Sequence, residues 1–164
     1  MIFVSVGTHN QGFERLVKEA DSLALKIEEN IFIQKGCANY TPINCKYKNF
    51  LTQDEFNQRC KKSSLVITHG GIGSIMTPLL MGKKIIVVPR LKKFKEHTND
   101  HQLQITKELA TQRKILAVYD IKMLGQAIKI SKSLKRFNHE KNRSTKIIDA
   151  IRSFIENYEN RYSA

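Results

Sequence analysis

The chain has 164 residues, enough for one domain with a hydrophobic core and too few for two full lobes. Its 28 Lys and Arg residues outnumber its 15 Asp and Glu residues, for a formal net charge of +13 at pH 7. Such a surface favours polyanions such as nucleic acid, an anionic membrane or nucleotide phosphates, although a general compositional bias towards lysine gives the same count.

The three cysteines argue against a disulfide framework or a zinc site. Cys37, Cys45 and Cys60 are odd in number and form no C-x-x-C pair, which favours a reducing cytosol. The first residues reach Gly7 without a basic region or a long apolar stretch, so we expect no signal peptide. No apolar run approaches the roughly 20 residues that span a bilayer. The sequence therefore predicts a cytoplasmic protein, soluble or peripheral on a membrane.

Short apolar runs alternate with longer segments of helical period, which is the pattern of βαβ units around a parallel sheet. In chain order, the predicted strands cover residues 2–6, 31–33, 47–50, 65–68, 85–88 and 115–118. The predicted helices cover 13–27, 52–62, a segment running towards 81, 101–112 and 121–134. Thr52 and Glu55 form a capping box, and Pro78 predicts a third helix that starts late or is kinked. The expected fold is a Rossmann-like α/β sheet with helices on both faces.

The last segment is strongly amphipathic. Its apolar side chains fall on one face of a helix predicted over 143–162, namely Ile147, Ile148, Ile151, Phe154, Ile155, Tyr158 and Tyr162. This helix packs either on the chain's own sheet or on a partner. We find no repeat or linker, so residues 1–164 are expected to form a single domain.

A glycine-rich turn follows the fourth predicted strand. Gly70, Gly71 and Gly73 lie between a buried strand and a helix, which is where open α/β sheets bind ligands. Glycines allow close approach of a phosphate, a helix N-terminus presents free N–H groups, and Ser74 adds a hydroxyl. The structural alternative is a tight turn that needs a positive φ. The spacing matches neither a P-loop nor the G-x-G-x-x-G fingerprint.

A polar cluster follows the fifth predicted strand and enters a helix, formed by His97, Asn99, Asp100, His101 and Gln102. His9 and His69 follow the first and fourth strands, so four of the five histidines are expected at one rim of the sheet. No H-x-x-x-H pair or helical carboxylate pair supplies three convergent metal ligands. We therefore expect no metal, and we expect these side chains to hydrogen-bond a sugar, a ribose or a diphosphate.

Four motifs occur in order along the chain. They read Thr68-His69-Gly70-Gly71-Ile72-Gly73-Ser74-Ile75, Gly82-Lys83-Lys84, Val88-Pro89-Arg90 and Glu96-His97-Thr98-Asn99-Asp100-His101-Gln102. Together they resemble the C-terminal-domain family of glycosyltransferase family 28, most of all the bacterial PssE-type subunits of exopolysaccharide and capsule glycosyltransferases. Gly7-Thr8-His9 is similar to that family's opening. The resemblance runs from residue 2 to about 118 and extends to the catalytic subunit of the dolichol-linked N-acetylglucosamine transferase and the MurG donor lobe.

The resemblance implies the C-terminal, donor-binding lobe of a GT-B enzyme, in which two Rossmann-like lobes face each other. The acceptor lobe would then be a separate, membrane-anchored PssD-like subunit. The resemblance implies a UDP-sugar site without metal or cofactor, and His9 is a candidate general base. The expected UDP-sugar contacts are Gly7, Thr8, His69, Gly70, Gly71, Gly73, Ser74, Arg90, His97, Asp100, His101 and Gln102. Where relatives carry a glutamate that binds the ribose hydroxyls, this chain has Thr77.

The implied reaction is inverting transfer of a sugar from UDP to a polyprenyl-diphosphate-linked saccharide in exopolysaccharide or capsule synthesis. The resemblance favours galactose as the sugar, with N-acetylglucosamine and glucuronate as alternatives. Basic segments at 90–95 and 129–146 suit the anionic inner face of the plasma membrane. Two other hypotheses remain: a non-catalytic helper subunit, and a basic nucleotide-binding or nucleic-acid-binding module, although the chain lacks RRM-type aromatics and a helix-turn-helix pattern. We expect no nucleic-acid partner.

Overall fold

Six parallel strands form one sheet in residues 1–134, the part of the chain that the computed structural model describes. The strands are β1 (Ile2–Ser5), β2 (Ile31–Gln34), β3 (Lys46–Lys48), β4 (Leu65–Thr68), β5 (Lys84–Val87) and β6 (Leu116–Ala117), in the spatial order β3-β2-β1-β4-β5-β6. The four central strands have no fully exposed residue, as expected for a parallel sheet covered on both faces.

Residues 1–134 contain five α-helices, of which the first four lie between strands and the fifth follows β6. They are α1 (Glu14–Leu23), α2 (Gln53–Lys62), α3 (Ile72–Leu80), α4 (His101–Thr111) and α5 (Leu124–Ser133). Leu16, Val17 and Ala20 of α1 share a core with Leu124 and Ile128 of α5 on one face of the sheet. Residues of α2, α3 and α4 pack in two clusters on the other face, among them Cys60, Ile75, Leu79 and Leu109. The predicted Rossmann-like α/β fold is confirmed.

The order of the strands reverses between β1 and β4. From β1 the chain proceeds outward through β2 to β3, then returns to β4 on the other side of β1, where Ser5 lies beside Thr68 in register. The loops that leave β1 and β4 therefore diverge to opposite faces and open a crevice at the carboxyl end of the sheet. Open α/β sheets bind their ligands at such a point.

Three predicted elements differ from the structure in detail. The third strand is Lys46–Lys48, an exposed edge strand that lacks the apolar run by which buried strands are found. The predicted helix from residue 121 begins with a 3₁₀ turn at Ile121–Met123, where the Asp120 carboxylate accepts from the Lys122 amide, and becomes α-helical at Leu124. The first helix ends at Leu23.

Pro78 neither delays α3 nor prevents it. The helix begins at Ile72 and contains Pro78 in its last turn, so the late start was wrong. Because proline has no amide hydrogen, α3 lacks the hydrogen bond that residue 78 would donate to the Ser74 carbonyl. The helix closes with the Met81 amide donating to the Thr77 carbonyl and the Lys83 amide to the Pro78 carbonyl. The predicted helix over 143–162 lies outside the described residues.

Candidate functional site

A cleft of about 550 Å³ lies at the carboxyl ends of β1 and β4. Its wall combines the ends of β1 and β2, the loops after β1 and β4, the first turns of α2 and α3, and the segment that leads into α4. The lining residues are Ser5, Gly7, Thr8, His9, Gln34, Leu51, Thr52, Gln53, Phe56, His69, Gly71, Gly73, Ser74, Thr77, His97 and Gln102. The crevice at the strand reversal therefore opens into a cavity large enough for a small molecule.

The His69 ring fills the space between two glycines. A Cβ on Gly7 would lie 2.3 Å from Nε2 of His69, and a Cβ on Gly71 would lie 2.2 Å from its Cε1. Gly7 also has a positive φ of 79°, whereas φ is not positive at Gly70, Gly71 or Gly73. Close packing against His69, and not a left-handed turn, explains the glycine at position 71.

Hydrogen bonds fix the protonation of His69. The Gly71 amide donates to Nδ1 at 3.0 Å, and Nε2 lies 3.0 Å from the Ser74 hydroxyl oxygen. Burial, and next the positive charge of Arg90, lowers the pKa of His69 to about 4, so the ring is neutral at pH 7. A neutral ring that accepts at Nδ1 carries its proton on Nε2 and donates it to Ser74. The hydroxyl proton of Ser74 is then left to donate into the cleft.

Gln102 connects three segments at the base of the cleft. Its Oε1 accepts from the Gly70 amide at 3.0 Å and from the Arg90 amide at 3.2 Å. Its own main chain belongs to the first turn of α4, and a Cβ on Gly70 would lie 2.7 Å from the Gln102 Cβ. The glycine at position 70 thus allows α4 to pack against the loop. Its amide donates to Gln102 and is not available to a ligand.

Gly73 differs from the other glycines of the turn. A Cβ built on it meets no atom within 4 Å, so the packing of the described chain does not require a glycine there. It lies in the first turn of α3, where the amides of Ile72, Gly73 and Ser74 have no carbonyl four residues earlier in the helix. Free amides, the helix dipole and open space coincide at Gly73, which suits an anionic ligand.

The Gly7 peptide is held from both sides. Its amide donates to the Ser5 hydroxyl at 3.4 Å, and its carbonyl accepts from Nε2 of Gln34 at 3.4 Å. Ser5 in turn donates to Oε1 of Gln34 at 2.6 Å, across the β1–β2 register. This buried network fixes the left-handed turn from which Thr8 and His9 extend into the cleft.

His9 and His97 lie together on the cleft wall, with ring centroids 4.8 Å apart. They come from separate segments, the loop after β1 and the segment before α4. Burial is the main cause that lowers the pKa of His9, followed by the charges of His97 and Arg90. His9, His69 and His97 thus meet at one cleft, as the sequence predicted for the rim of the sheet.

Arg90, expected among the ligand contacts and the surface cations, is instead completely buried. Its guanidinium donates to the carbonyl oxygens of Gln11, Gly12, Glu96 and Val6, and it stacks on the Phe13 ring. Burial lowers its pKa to about 10, so it keeps its charge at pH 7. Arg90 therefore holds the loop after β1 against the segment before α4 and places a positive charge beneath the cleft.

The predicted site residues fall into three groups. Nine of the thirteen line the cleft: Gly7, Thr8, His9, His69, Gly71, Gly73, Ser74, His97 and Gln102. Gly70 and Arg90 lie behind the wall. Asp100 is exposed and accepts from the Lys92 amide at 2.9 Å, and the His101 amide donates to the Asn99 side chain. Neither Asp100 nor His101 belongs to the cleft lining.

The expected contacts left out seven lining residues, and of these Thr77 was noted only as the position where the resemblance implies a glutamate. They are Ser5, Gln34, Leu51, Thr52, Gln53, Phe56 and Thr77. Two of them carried a signal, because Ser5 and Gln34 are polar residues that end buried apolar strands. Thr52 was predicted only as a helix cap, which it is: its hydroxyl accepts from the Glu55 amide, and the Glu55 carboxylate accepts from its amide. Thr77 lines the cleft one turn after Gly73.

Within residues 1–134, no cluster of three His, Cys, Asp or Glu side chains has the arrangement to hold a metal ion. The helices in that same part of the chain are too short or too polar to cross a bilayer. Cys37, Cys45 and Cys60 are free thiols.

The sequence matches known proteins along most of its length. A model of the glycosyltransferase family 28 C-terminal domain matches residues 1–158. The human protein "UDP-N-acetylglucosamine transferase subunit ALG13" is 32% identical over 120 residues, which are 66% of this chain and 10% of that protein. The chain thus spans about a tenth of that relative.

Solved structures share the fold. A glycotransferase of kitacinnamycin has a TM-score of 0.63 at 18% identity, over 81% of this chain and 34% of its own. The calicheamicin glycosyltransferase CalG4 has a TM-score of 0.60 at 14% identity, over 99% of this chain and 43% of its own. The six-stranded sheet is thus the Rossmann-like lobe found in GT-B glycosyltransferases. With the family model matching nearly every residue, the chain belongs to the glycosyltransferase family 28 C-terminal domain family.

Proposed function

We propose that the chain is the catalytic, UDP-sugar-binding subunit of a two-component inverting glycosyltransferase. The observation that carries the proposal is the cleft at the reversal of strand order. There the open space over Gly73 lies beside the free amides of α3 and three histidine side chains. Membership of a glycosyltransferase family supports sugar transfer. Similarity to the human relative, a UDP-N-acetylglucosamine transferase subunit, supports a UDP-sugar donor and a partner chain.

The proposed partner is a membrane-anchored PssD-like subunit that supplies the acceptor lobe. The chain spans about a third to two fifths of the solved glycosyltransferases that share its fold. The acceptor would be a polyprenyl-diphosphate-linked saccharide in exopolysaccharide or capsule synthesis, at the cytoplasmic face of the plasma membrane. Galactose is the favoured sugar, with N-acetylglucosamine and glucuronate as alternatives.

In the proposed reaction, an acceptor hydroxyl attacks the anomeric carbon opposite UDP. A new glycosidic bond forms, the bond to the diphosphate oxygen breaks with its electron pair, and the configuration inverts. Negative charge grows on the leaving diphosphate, where the free amides of α3 and the Ser74 hydroxyl would stabilise it. The acceptor's proton passes to a general base, for which His9 and the partner subunit are the two candidates.

Two neighbouring glycines test the donor site. Gly73→Ala adds a methyl group only to open space and gains up to about 1 kcal/mol of helix propensity, so it should fold at least as well as the wild type. If the diphosphate occupies that space, calorimetry should show UDP affinity falling by roughly tenfold or more. Gly71→Ala should lose both UDP affinity and stability, because its Cβ displaces His69.

UDP binding that survives in the Gly73→Ala variant would contradict the placement of the diphosphate. The catalytic part of the proposal is tested by co-expressing the chain with its partner and offering radiolabelled UDP-sugars with a lipid-linked glucose acceptor. Transfer by the partner alone would identify this chain as a helper subunit.

A further inference from the structure

The wall of the donor cleft, as far as residues 1–134 form it, contains no Lys, Arg, Asp or Glu side chain. Its titratable groups are the imidazoles of His9, His69 and His97. A nucleoside diphosphate brings negative charge, whose burial is costly unless hydrogen-bond donors or cations meet it. The protonation of these three rings therefore decides which hydrogen-bond donors the cleft presents to an anion.

One local contact recurs at all three histidines. In each, Nδ1 accepts a hydrogen bond from the main-chain amide two residues later: Gln11 to His9 at 3.1 Å, Gly71 to His69 at 3.0 Å, and Asn99 to His97 at 3.3 Å. An imidazole whose Nδ1 lone pair is engaged in this way carries its proton on Nε2 when it is neutral. A second proton would have to enter at Nδ1 and would break the amide contact.

The surroundings of His9 favour its neutral form. Burial is the main cause that lowers the pKa of His9, followed by the charges of His97 and of the buried Arg90. The carboxylate of Glu96, next to His97 in the sequence, is engaged by the Arg15 guanidinium at 2.9 Å and by the Leu91 amide at 3.0 Å. The Glu96 carboxylate is therefore held by these donors and not by the His97 ring.

Nε2 of His69 donates its proton to the Ser74 hydroxyl. The imidazoles that can still donate to a ligand in the cleft are therefore those of His9 and His97. Two rings 4.8 Å apart, each with Nδ1 accepting from a main-chain amide, present two Nε2 donors and no acceptor to each other. Such a pair is complementary to a third group that only accepts hydrogen bonds.

We infer that His9 and His97 form a paired neutral-donor site in which two Nε2–H groups bind one oxyanion of the sugar nucleotide, and that neither ring is the general base. The oxyanion belongs either to the diphosphate or to the carboxylate of a hexuronate sugar. The inference rests on the proposed donor function, and it assigns proton abstraction to the partner subunit.

The ring tautomers are measurable without any ligand. Two-bond ¹H–¹⁵N correlation spectra of the labelled full chain at pH 7, assigned with the single variants His9→Gln and His97→Gln, should show a protonated Nε2 and an unprotonated Nδ1 for both rings. A proton on Nδ1 of either ring would overturn the inference, whether or not the chain binds UDP.

Ligand binding tests the donor role with isosteric variants. A glutamine amide lies near the position of Nε2 and an asparagine amide near that of Nδ1. In calorimetry with UDP, UDP-glucose and UDP-glucuronate, His97→Asn should lose roughly tenfold in affinity and His97→Gln should recover most of it. A loss for all three ligands places the diphosphate at the pair, and a loss for UDP-glucuronate alone places the carboxylate there. Equal affinities of both variants and the wild type for every ligand would contradict the inference.

A base role for His9 has its own readout in the co-expressed complex. If His9 only donates, any loss of transfer in His9→Gln should follow its loss of UDP-sugar affinity, and the pH profile of kcat should keep its acidic limb. If His9 removes the acceptor's proton, His9→Gln should lose kcat by 10²-fold or more without a change in UDP affinity. Wild-type chain that binds no UDP at all would instead refute the proposed function, and the tautomer spectra would still decide the inference.

Discussion

Arg90 does not line the cleft, but its buried guanidinium holds together the segments that do. One guanidinium satisfies four main-chain carbonyls from three segments, which no other side chain has the donors and reach to do. The Arg15–Glu96 pair closes the same segment from outside, with both nitrogen-to-oxygen distances at 2.9 Å. The loop that carries His9 and the segment that carries His97 are held together by these two arginines.

Arg90→Met should destabilise the fold by about 3 kcal/mol, because several buried carbonyls lose their donors at once. The measurement is urea unfolding followed by circular dichroism. Lys92→Met, two residues away on the surface, is the matched control and should change the unfolding free energy by no more than about 0.5 kcal/mol. Equal midpoints for the two variants would show that the carbonyl contacts contribute little.

The sequence predicted most of the residues that line the cleft, but it did not predict the structural role of each one. Gly71 was attributed to a phosphate or a positive φ, whereas its missing Cβ makes room for His69, a contact between residues two apart that no spacing rule reveals. Arg90 was expected to contact the ligand because it lies in a motif beside the cleft. The motif does not show the direction of its side chain, which is buried. Buried arginines are rare, so exposure is the natural first expectation.

At the scale of elements, Glu29 joins three parts of the chain at the amino ends of the strands, the end of the sheet away from the cleft. It accepts from the Ser64 hydroxyl before β4 and from the Met1 ammonium before β1, and it pairs with Lys132 of α5 at 3.3 Å. These contacts, with Ser64 the largest, lower the pKa of Glu29 to about 2 from an ordinary value of 4.5.

Because the folded pKa of Glu29 lies below the unfolded one, its stabilisation is complete above about pH 4.5 and is lost as the pH falls towards 2. Glu29→Gln should therefore cost on the order of 1–2 kcal/mol at pH 7, a figure reduced for partial exposure, and the difference from the wild type should vanish near pH 2. Urea unfolding across this range measures it. The exposed neighbour variant Glu28→Gln should show a small difference at every pH.

Element prediction succeeded where burial shapes the sequence. The four central strands are apolar runs because both faces of a parallel sheet are covered, and the capping box at Thr52 and Glu55 fixed the start of α2. It failed where burial gives no pattern: β3 is an exposed edge, and the 3₁₀ turn at Ile121–Met123 has the same local composition as the helix that follows.

At the scale of the whole molecule, an exposed basic turn lies at the end of the sheet that carries the cleft. Lys92, Lys93 and Lys95 are exposed around Phe94, whose ring is 50% exposed and stacks on Arg15 at 4.9 Å. This basic and aromatic turn precedes His97 by two residues. Its composition suits an anionic lipid surface, in line with the proposed peripheral location.

The chain contains no tryptophan, so Phe94→Trp introduces a single fluorescent reporter. On vesicles of phosphatidylglycerol its emission should shift to the blue, and the shift should disappear on phosphatidylcholine or above about 0.5 M salt, where surface charge is screened. Leu25→Trp, exposed just beyond α1, is the matched reporter and should not respond. A shift in both proteins, or in neither, would contradict an oriented membrane contact.

The double hydrogen bond at Gln102 has a consequence for how this family can diversify. A single amide oxygen couples the turn after β4, the strand end at Arg90 and the start of α4, so a change in any one of these segments is felt by the other two. New donor preferences are therefore easiest to acquire at wall positions outside that junction. Thr77 is such a position, because it lines the cleft and takes no part in the Gln102 hydrogen bonds. In evolutionary terms, a substitution at the junction disturbs three segments at once, whereas a substitution at Thr77 leaves their shared hydrogen bonds intact.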